Sequence, residues 1–269
     1  MTGPVPGPAA RHRARRRFGQ HFLHDPAVLA RIVAAIDPRP GERLVEVGPG
    51  LGALTLPLLD RVGRLECIEL DRDLIPPLIE RARGRGELTV HAADVLAFDF
   101  VALAAEGAKL RLCGNLPYNI STPFLFHALA ARAVVQDMHF MLQKEVVARL
   151  AAAPGSRVYG RLTVMVAAHC SAERLFDVGA GAFRPPPRVE SAVVRLLPHE
   201  RPPFALADPA RFAAVVAAAF GQRRKTLKNS LASVVDAAGF AAAGIDARRR
   251  AETLSPAEFA RLAATTAPL

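Results

Sequence analysis

The sequence predicts an α/β protein: a parallel sheet covered by helices on both faces, followed by a small all-helical domain. Three observations carry this. Short apolar strands recur about every 20 residues with helical segments between them, the alternation that builds a parallel sheet. A glycine-rich turn follows the first of these strands and opens a helix. Beyond a proline-dense break from Pro198 to Pro203, Ala-rich helical patterns run to the end.

The elements follow in order. Residues 1–15 read as a flexible basic arm, because Gly3, Pro4, Pro6, Gly7 and Pro8 oppose regular structure and nothing apolar repeats. Asp25-Pro26 opens an amphipathic helix reaching about Ile36, with Asp as N-cap and Pro at the first helical position. Strands are expected at Leu44–Val47, Leu65–Ile68, Leu88–Val90 and Leu110–Cys113, with helices after Gly52 and Asp71. The apolar segments Met138–Leu142, Phe176–Val178 and Ala192–Leu197 can complete the sheet. A ligand-binding domain over 16–198 and a helical domain over 204–269 are therefore expected, with no internal repeat.

Composition narrows the function. With 269 residues, 51% of them apolar, the chain can bury one substantial core and a smaller second one. The longest apolar stretch, Phe212 to Phe220, is far too short to span a membrane. Cys67, Cys113 and Cys170 are few and widely spaced, which fits a reducing cytoplasm, and neither a disulfide framework nor a metal site is indicated. The net charge of +10 is localised: residues 1–24 carry five Arg and no acid, and residues 209–235 carry Arg211, Arg223, Arg224, Lys225 and Lys228 and no acid. Such cationic segments favour a phosphate backbone through counterion release. Read blandly, they are a tail and a solvated helix face.

Glu46-Val47-Gly48-Pro49-Gly50-Leu51-Gly52 ends the first sheet strand and opens a helix, where backbone passes close to a ligand. The glycines are spaced GxGxG rather than GxGxxG, and the carboxylate of Glu46 disfavours a pyrophosphate. It suits the cationic end of S-adenosylmethionine, a sulfonium with an amino acid tail. Glu69 follows the second strand, 21 residues after Gly48, where an acid in such folds accepts hydrogen bonds from ribose hydroxyls. Asp94 follows the third strand and can bind an adenine amino group. Either acid taken alone is as readily a helix cap or a surface charge.

Asn115-Leu116-Pro117-Tyr118 follows the fourth strand at the same sheet edge. The lone pair of an adenine amino group is delocalised into the ring and is a poor nucleophile. Two acceptors, the Asn115 side-chain oxygen and a backbone carbonyl near Leu116, favour a pyramidal nitrogen aimed at a methyl donor. Pro117 stiffens the turn, and Tyr118 can stack on a base drawn out of its helix.

These motifs, with Arg17-Phe18-Gly19-Gln20-His21-Phe22-Leu23, Asn115 to Ser121, Met138 to Arg149, Phe183 to Ser191 and Phe220 to Leu227, span nearly the whole chain. The sequence resembles the bacterial small-subunit rRNA adenine dimethyltransferases, the KsgA or RsmA family. The resemblance implies a Rossmann-like class I S-adenosylmethionine-dependent methyltransferase with a C-terminal helical rRNA-binding domain. It implies cofactor contacts from positions 21 and 23 with Gly48, Glu69, Asp94 and Asn115, to which the loop reading adds Glu46 and Gly50. It further implies Phe183 as a second aromatic wall for the target base, and Arg223, Arg224, Lys225 and Lys228 against RNA. The family usually has Asn where this chain has His21. The implied substrate is a pair of adjacent adenosines in the loop of the 3′-terminal helix of 16S rRNA, each dimethylated on an assembling small subunit. A monomer that releases S-adenosylhomocysteine and uses no metal is expected. An Erm-type large-subunit methyltransferase and a non-catalytic assembly factor are the rival readings; a nicotinamide oxidoreductase is disfavoured by the absence of GxGxxG.

Overall fold

The computed structural model describes residues 20–104, 107–222 and 224–266. The chain forms two compact units. The first runs to Leu125 and takes in Val178–Glu190; the second holds Phe126–Asp177 and the chain from Ser191 onward.

The first unit is built on four parallel strands. They are β2 (Arg43–Val47), β3 (Arg64–Glu69), β4 (Glu87–Ala92) and β5 (Leu110–Asn115), arranged β4-β3-β2-β5. The side chains of Leu44, Val45, Val47, Leu65, Ile68, Leu110 and Leu112 are buried, the near-continuous apolar reading of strands covered on both faces. The covering helices include α1 (Pro26–Ile36), α2 (Thr55–Val62), α3 (Ile75–Ala82) and α4 (Phe100–Ala104). Helix α1 starts where the sequence places it, because the Asp25 carboxylate accepts from the amides of Ala27 at 2.8 Å and Val28 at 3.1 Å. From β2 the chain goes outward through β3 to β4, then crosses back to place β5 on the other side of β2. The carboxyl ends of β2 and β5 therefore flank the crevice where such sheets bind ligands.

Two short strands cap that edge. β1 (Phe22–Leu23) pairs antiparallel with β8 (Phe183–Arg184), setting Phe22 opposite Arg184 and Leu23 opposite Phe183. The amide of His24 also donates to the carbonyl of Ala182 at 3.0 Å.

In the second unit β6 (Val135–Gln143) and β9 (Ser191–Pro198) pair antiparallel, with Met138 opposite Leu196 and Leu142 opposite Ala192. The expectation of an all-parallel sheet is thus corrected for its later strands. The chain reaches β9 from β7 (Cys170–Val178) through a segment containing only a 3-10 turn and β8, without the crossover helix a parallel pair needs. Helix α5 (Ser121–Ala130) precedes β6, and α6 (Lys144–Leu150) and α7 (Arg161–Ala167) follow it. The C-terminal helices are α8 (Pro209–Gly221), α9 (Leu227–Ser230), α10 (Ala237–Ala243) and α11 (Pro256–Thr265). Their apolar core gathers Phe212, Val216, Leu227, Leu231, Phe240 and Phe259, and it reaches back before the proline-dense break to include Tyr159 and Val164. The Tyr159 hydroxyl donates to the carbonyl of Leu254 at 2.8 Å, so this buried polar atom is satisfied.

Candidate active site

The crevice at the carboxyl ends of β2, β3 and β5 holds a cavity of about 340 Å³. His21, Leu23, Glu46, Gly48, Gly50, Glu69, Asp94, Asn115, Leu116, Pro117 and Tyr118 all line it, so residues 97 positions apart in sequence meet at one sheet edge. Among the described residues the walls carry three acids, Glu46, Glu69 and Asp94, and neither Lys nor Arg, although the chain as a whole is strongly basic. Leu51, Ile68, Leu70, Leu96 and Ile120 add apolar surface. Acids with apolar walls fit a cationic ligand that also carries a flat aromatic group.

Glu46 is 2% exposed on β2, flanked in register by Cys67 on β3 and Cys113 on β5. Burial pushes its carboxyl up to about 7, an effect that the neighbouring Thr55 hydroxyl and Cys67 thiol only partly offset. The Cys67 thiol donates to Glu46 Oε2 at 3.7 Å. Glu69 is also buried and its carboxyl is raised by desolvation. Its two oxygens tie the glycine-rich loop to the end of β3: Oε2 accepts from the Gly50 amide at 3.1 Å and Oε1 from the Asp71 amide at 2.8 Å. Asp94 is exposed and accepts from the Leu96 amide at 2.9 Å, so it caps a short 3-10 turn at the rim of the cavity.

Asn115 ends β5, and its Nδ2 donates to the carbonyl of His21 at 2.9 Å. That bond commits the amide nitrogen to backbone and leaves the side-chain oxygen as the acceptor. In the turn that follows, the Pro117 carbonyl accepts from Ser121 Oγ at 3.1 Å and from the Ile120 amide at 3.2 Å, which fixes the path of residues 117–121. Tyr118 is half-buried.

Sequence reasoning passed over Gly114, although a lone glycine inside a strand signals a close backbone approach. Its φ is 156°, and a Cβ there would lie 2.3 Å from the carbonyl oxygen of Val47. Only glycine lets β5 press so closely on the end of β2, and this contact brings Asn115 against the Gly48 loop. Gln20, Leu70 and Ile120 also line the cavity, and adjacency to the motifs was their only signal.

Phe183 is not among the residues lining the cavity: it is 3% exposed and lies opposite Leu23 in the β1–β8 ladder. Arg224, Lys225 and Lys228 are exposed in the second unit, and Arg223 lies outside the described residues. Arg211 pairs with Asp208 at 3.0 Å, one residue before the acid-free stretch begins, so that stretch is less basic than its own composition suggests. Among the described residues no group of His, Cys, Asp and Glu is arranged to hold a metal ion.

The model of the family described as "Ribosomal RNA adenine dimethylase" matches residues 11–267. The chain belongs to that family. It is accordingly an S-adenosylmethionine-dependent rRNA adenine dimethylase with a Rossmann-like class I fold. It is 56% identical over 264 residues, 96% of this chain and 94% of the relative, to "Ribosomal RNA small subunit methyltransferase A" of Chromohalobacter salexigens. Among solved structures, a dimethyladenosine transferase from Plasmodium falciparum shares the fold with a TM-score of 0.76 and 24% identity, covering 90% of this chain and 96% of that one. The 23S rRNA methyltransferase ErmE gives a TM-score of 0.71 and 26% identity over 91% of this chain and 98% of its own. The turn from Asn115 to Tyr118 and the three acids line one and the same cavity.

Proposed function

We propose that the chain dimethylates the exocyclic 6-amino groups of two adjacent adenosines in the loop of the 3′-terminal helix of 16S rRNA. It acts as a cytoplasmic monomer on an assembling small subunit. Support comes from family membership and from the 56% identical relative whose name specifies the ribosomal small subunit. Among the described residues no helix is long and apolar enough to cross a membrane. The observation that carries the reading is a cavity bearing three acids, with no Lys or Arg among its described lining residues, beside an asparagine whose nitrogen is anchored, so that its oxygen is the acceptor.

S-adenosylmethionine, when bound, supplies an activated methyl group on a sulfonium. Glu46 complements the positive charge, Glu69 accepts from the ribose hydroxyls, Gly48 and Gly50 admit close backbone approach, and Leu23 and Asp94 close the adenine end. The Asn115 oxygen and the Leu116 carbonyl accept the two amino hydrogens of the target adenine and turn its lone pair toward the methyl. Tyr118 stacks on the extruded base, repaying part of an unstacking cost of about a few kcal/mol. Each transfer is an in-line displacement that forms the N–methyl bond as the S–methyl bond breaks, leaving S-adenosylhomocysteine and releasing an amino proton to water, so alignment matters more than a strong base. Arg223, Arg224, Lys225 and Lys228 serve the RNA backbone, and the helical region from 204 onward presents them.

Incubating the protein and labelled S-adenosylmethionine with under-methylated small subunits, followed by mass-spectrometric mapping, tests this. Two dimethylated adenosines near the 3′ end of the 16S chain are expected, and Asn115→Ala should abolish transfer while RNA binding persists. Label confined to large-subunit RNA, or near-normal turnover by the variant, would overturn the assignment.

A further inference from the structure

His21 touches both residues assigned to the target adenine. Its backbone carbonyl accepts from Asn115 Nδ2 at 2.9 Å, and its ring faces Tyr118 with centroids 5.7 Å apart and planes inclined by 27°. That separation lies inside the range of favourable offset-stacked pairs. On its other side the ring is held by a hydrogen bond, with Nδ1 lying 2.8 Å from the Pro185 carbonyl. A carbonyl only accepts, so the proton sits on Nδ1, and in the neutral ring Nε2 is left with a lone pair and no hydrogen to give. The asparagine usual in the family would offer both a donor and an acceptor and could not stack as an aromatic ring does. A stray aromatic contact is ordinarily packing. Here one ring is bonded to the segment after β8 and stacked on the aromatic of the Asn115–Tyr118 turn, beside the cavity.

We propose that the His21 side chain is a positioning residue for the acceptor half of the reaction. It braces Tyr118 against the Pro185 carbonyl, so that the tyrosine ring is already oriented when the adenine arrives. Such preorganisation spares the ordering of Tyr118 at the moment of binding. The proposal rests on the reading of Tyr118 as the stacking partner of the base, and it adds this role to the cofactor contact that the resemblance implies for position 21.

The test measures kcat and KM for RNA methylation, and the Kd for S-adenosylmethionine by calorimetry, in His21→Ala, His21→Phe, Tyr118→Ala and the double alanine variant. His21→Ala should lower kcat at saturating cofactor about three- to tenfold, the worth of one aromatic pair. His21→Phe, which keeps a ring but loses the Nδ1 hydrogen bond, should recover more than half of that loss. The double variant should be no slower than Tyr118→Ala alone, as two residues acting through one contact require. An unchanged kcat at saturating cofactor, with only the cofactor Kd worsened, would make His21 a cofactor ligand alone and overturn the proposal. Strictly additive losses on top of a slow Tyr118→Ala would overturn the brace while sparing the base-stacking reading. If Tyr118→Ala turns over like the parent, that reading fails and takes the brace with it.

Discussion

Removing the charge of Glu46 should change how the protein binds S-adenosylmethionine as a function of pH. The group is 2% exposed, and burial lifts its carboxyl from 4.5 to about 7 in the ligand-free protein. The folded state therefore holds this proton more tightly than the unfolded chain does. The resulting stability is complete below pH 4.5 and is lost as pH rises through about 7. For a shift of that size the loss is on the order of 3 kcal/mol. A cationic ligand meets the ionised form, of which there is roughly one part in ten at pH 6 and nine in ten at pH 8. Cofactor affinity should thus rise about tenfold over that interval, with proton release at the acid end. Isothermal calorimetry in buffers of different ionisation enthalpy reads both quantities and suits a chain that has no tryptophan. Glu46→Gln separates this effect from titration of the ligand's own α-amino group and should flatten the profile. A parent profile as flat as that of the variant, without proton exchange, would refute the reasoning.

Three further outcomes are expected. Gly114→Ala would set a Cβ 2.3 Å from the Val47 carbonyl at a φ of 156°, so thermal melting should show a loss of about 1–3 kcal/mol, with turnover falling as Asn115 is displaced. Joint replacement of Arg223 and Arg224 by Ala should weaken subunit binding and reduce the slope of log K against log salt by roughly 1.5, two phosphate contacts' worth; an unchanged slope would return the segment to a solvated face. Tyr159→Phe removes the hydroxyl that donates to Leu254 at 2.8 Å in a buried setting, and should cost about 1–3 kcal/mol by chemical denaturation without changing cofactor affinity.

What could be read from the sequence was whatever rests on local chemistry. The Asp25-Pro26 start of α1 is a self-contained signal, since the cap and its amides lie within three residues. The four parallel strands and the residues at their carboxyl ends were legible because the apolar runs, the GxGxG turn and the acids occur in the order the fold uses them. Features made by distant partners were not. Phe183 pairs in register with Leu23, 160 positions away, and nothing near Phe183 announces that pairing. The hold of Pro185 on His21 and the approach of Gly114 to Val47 are likewise long-range. The antiparallel pairing of β6 with β9 was hidden because a buried apolar strand reads the same in either direction. Tyr159 joins the C-terminal core across a break that composition alone marks as an end.

With the donor in the acid-lined cavity, as proposed, the acids bear on the company the enzyme keeps. Adenosine circulates mostly as phosphorylated nucleotides, and a phosphate entering this cavity would meet Glu46, Glu69 and Asp94 with no Lys or Arg among the described lining residues to offset them. The same walls lose their hold once the methyl has left, because a sulfonium has become a neutral thioether. A pocket built this way refuses the abundant anionic look-alikes and lets the spent donor go. An enzyme that must reload for each of several methyl groups on one RNA gains from both.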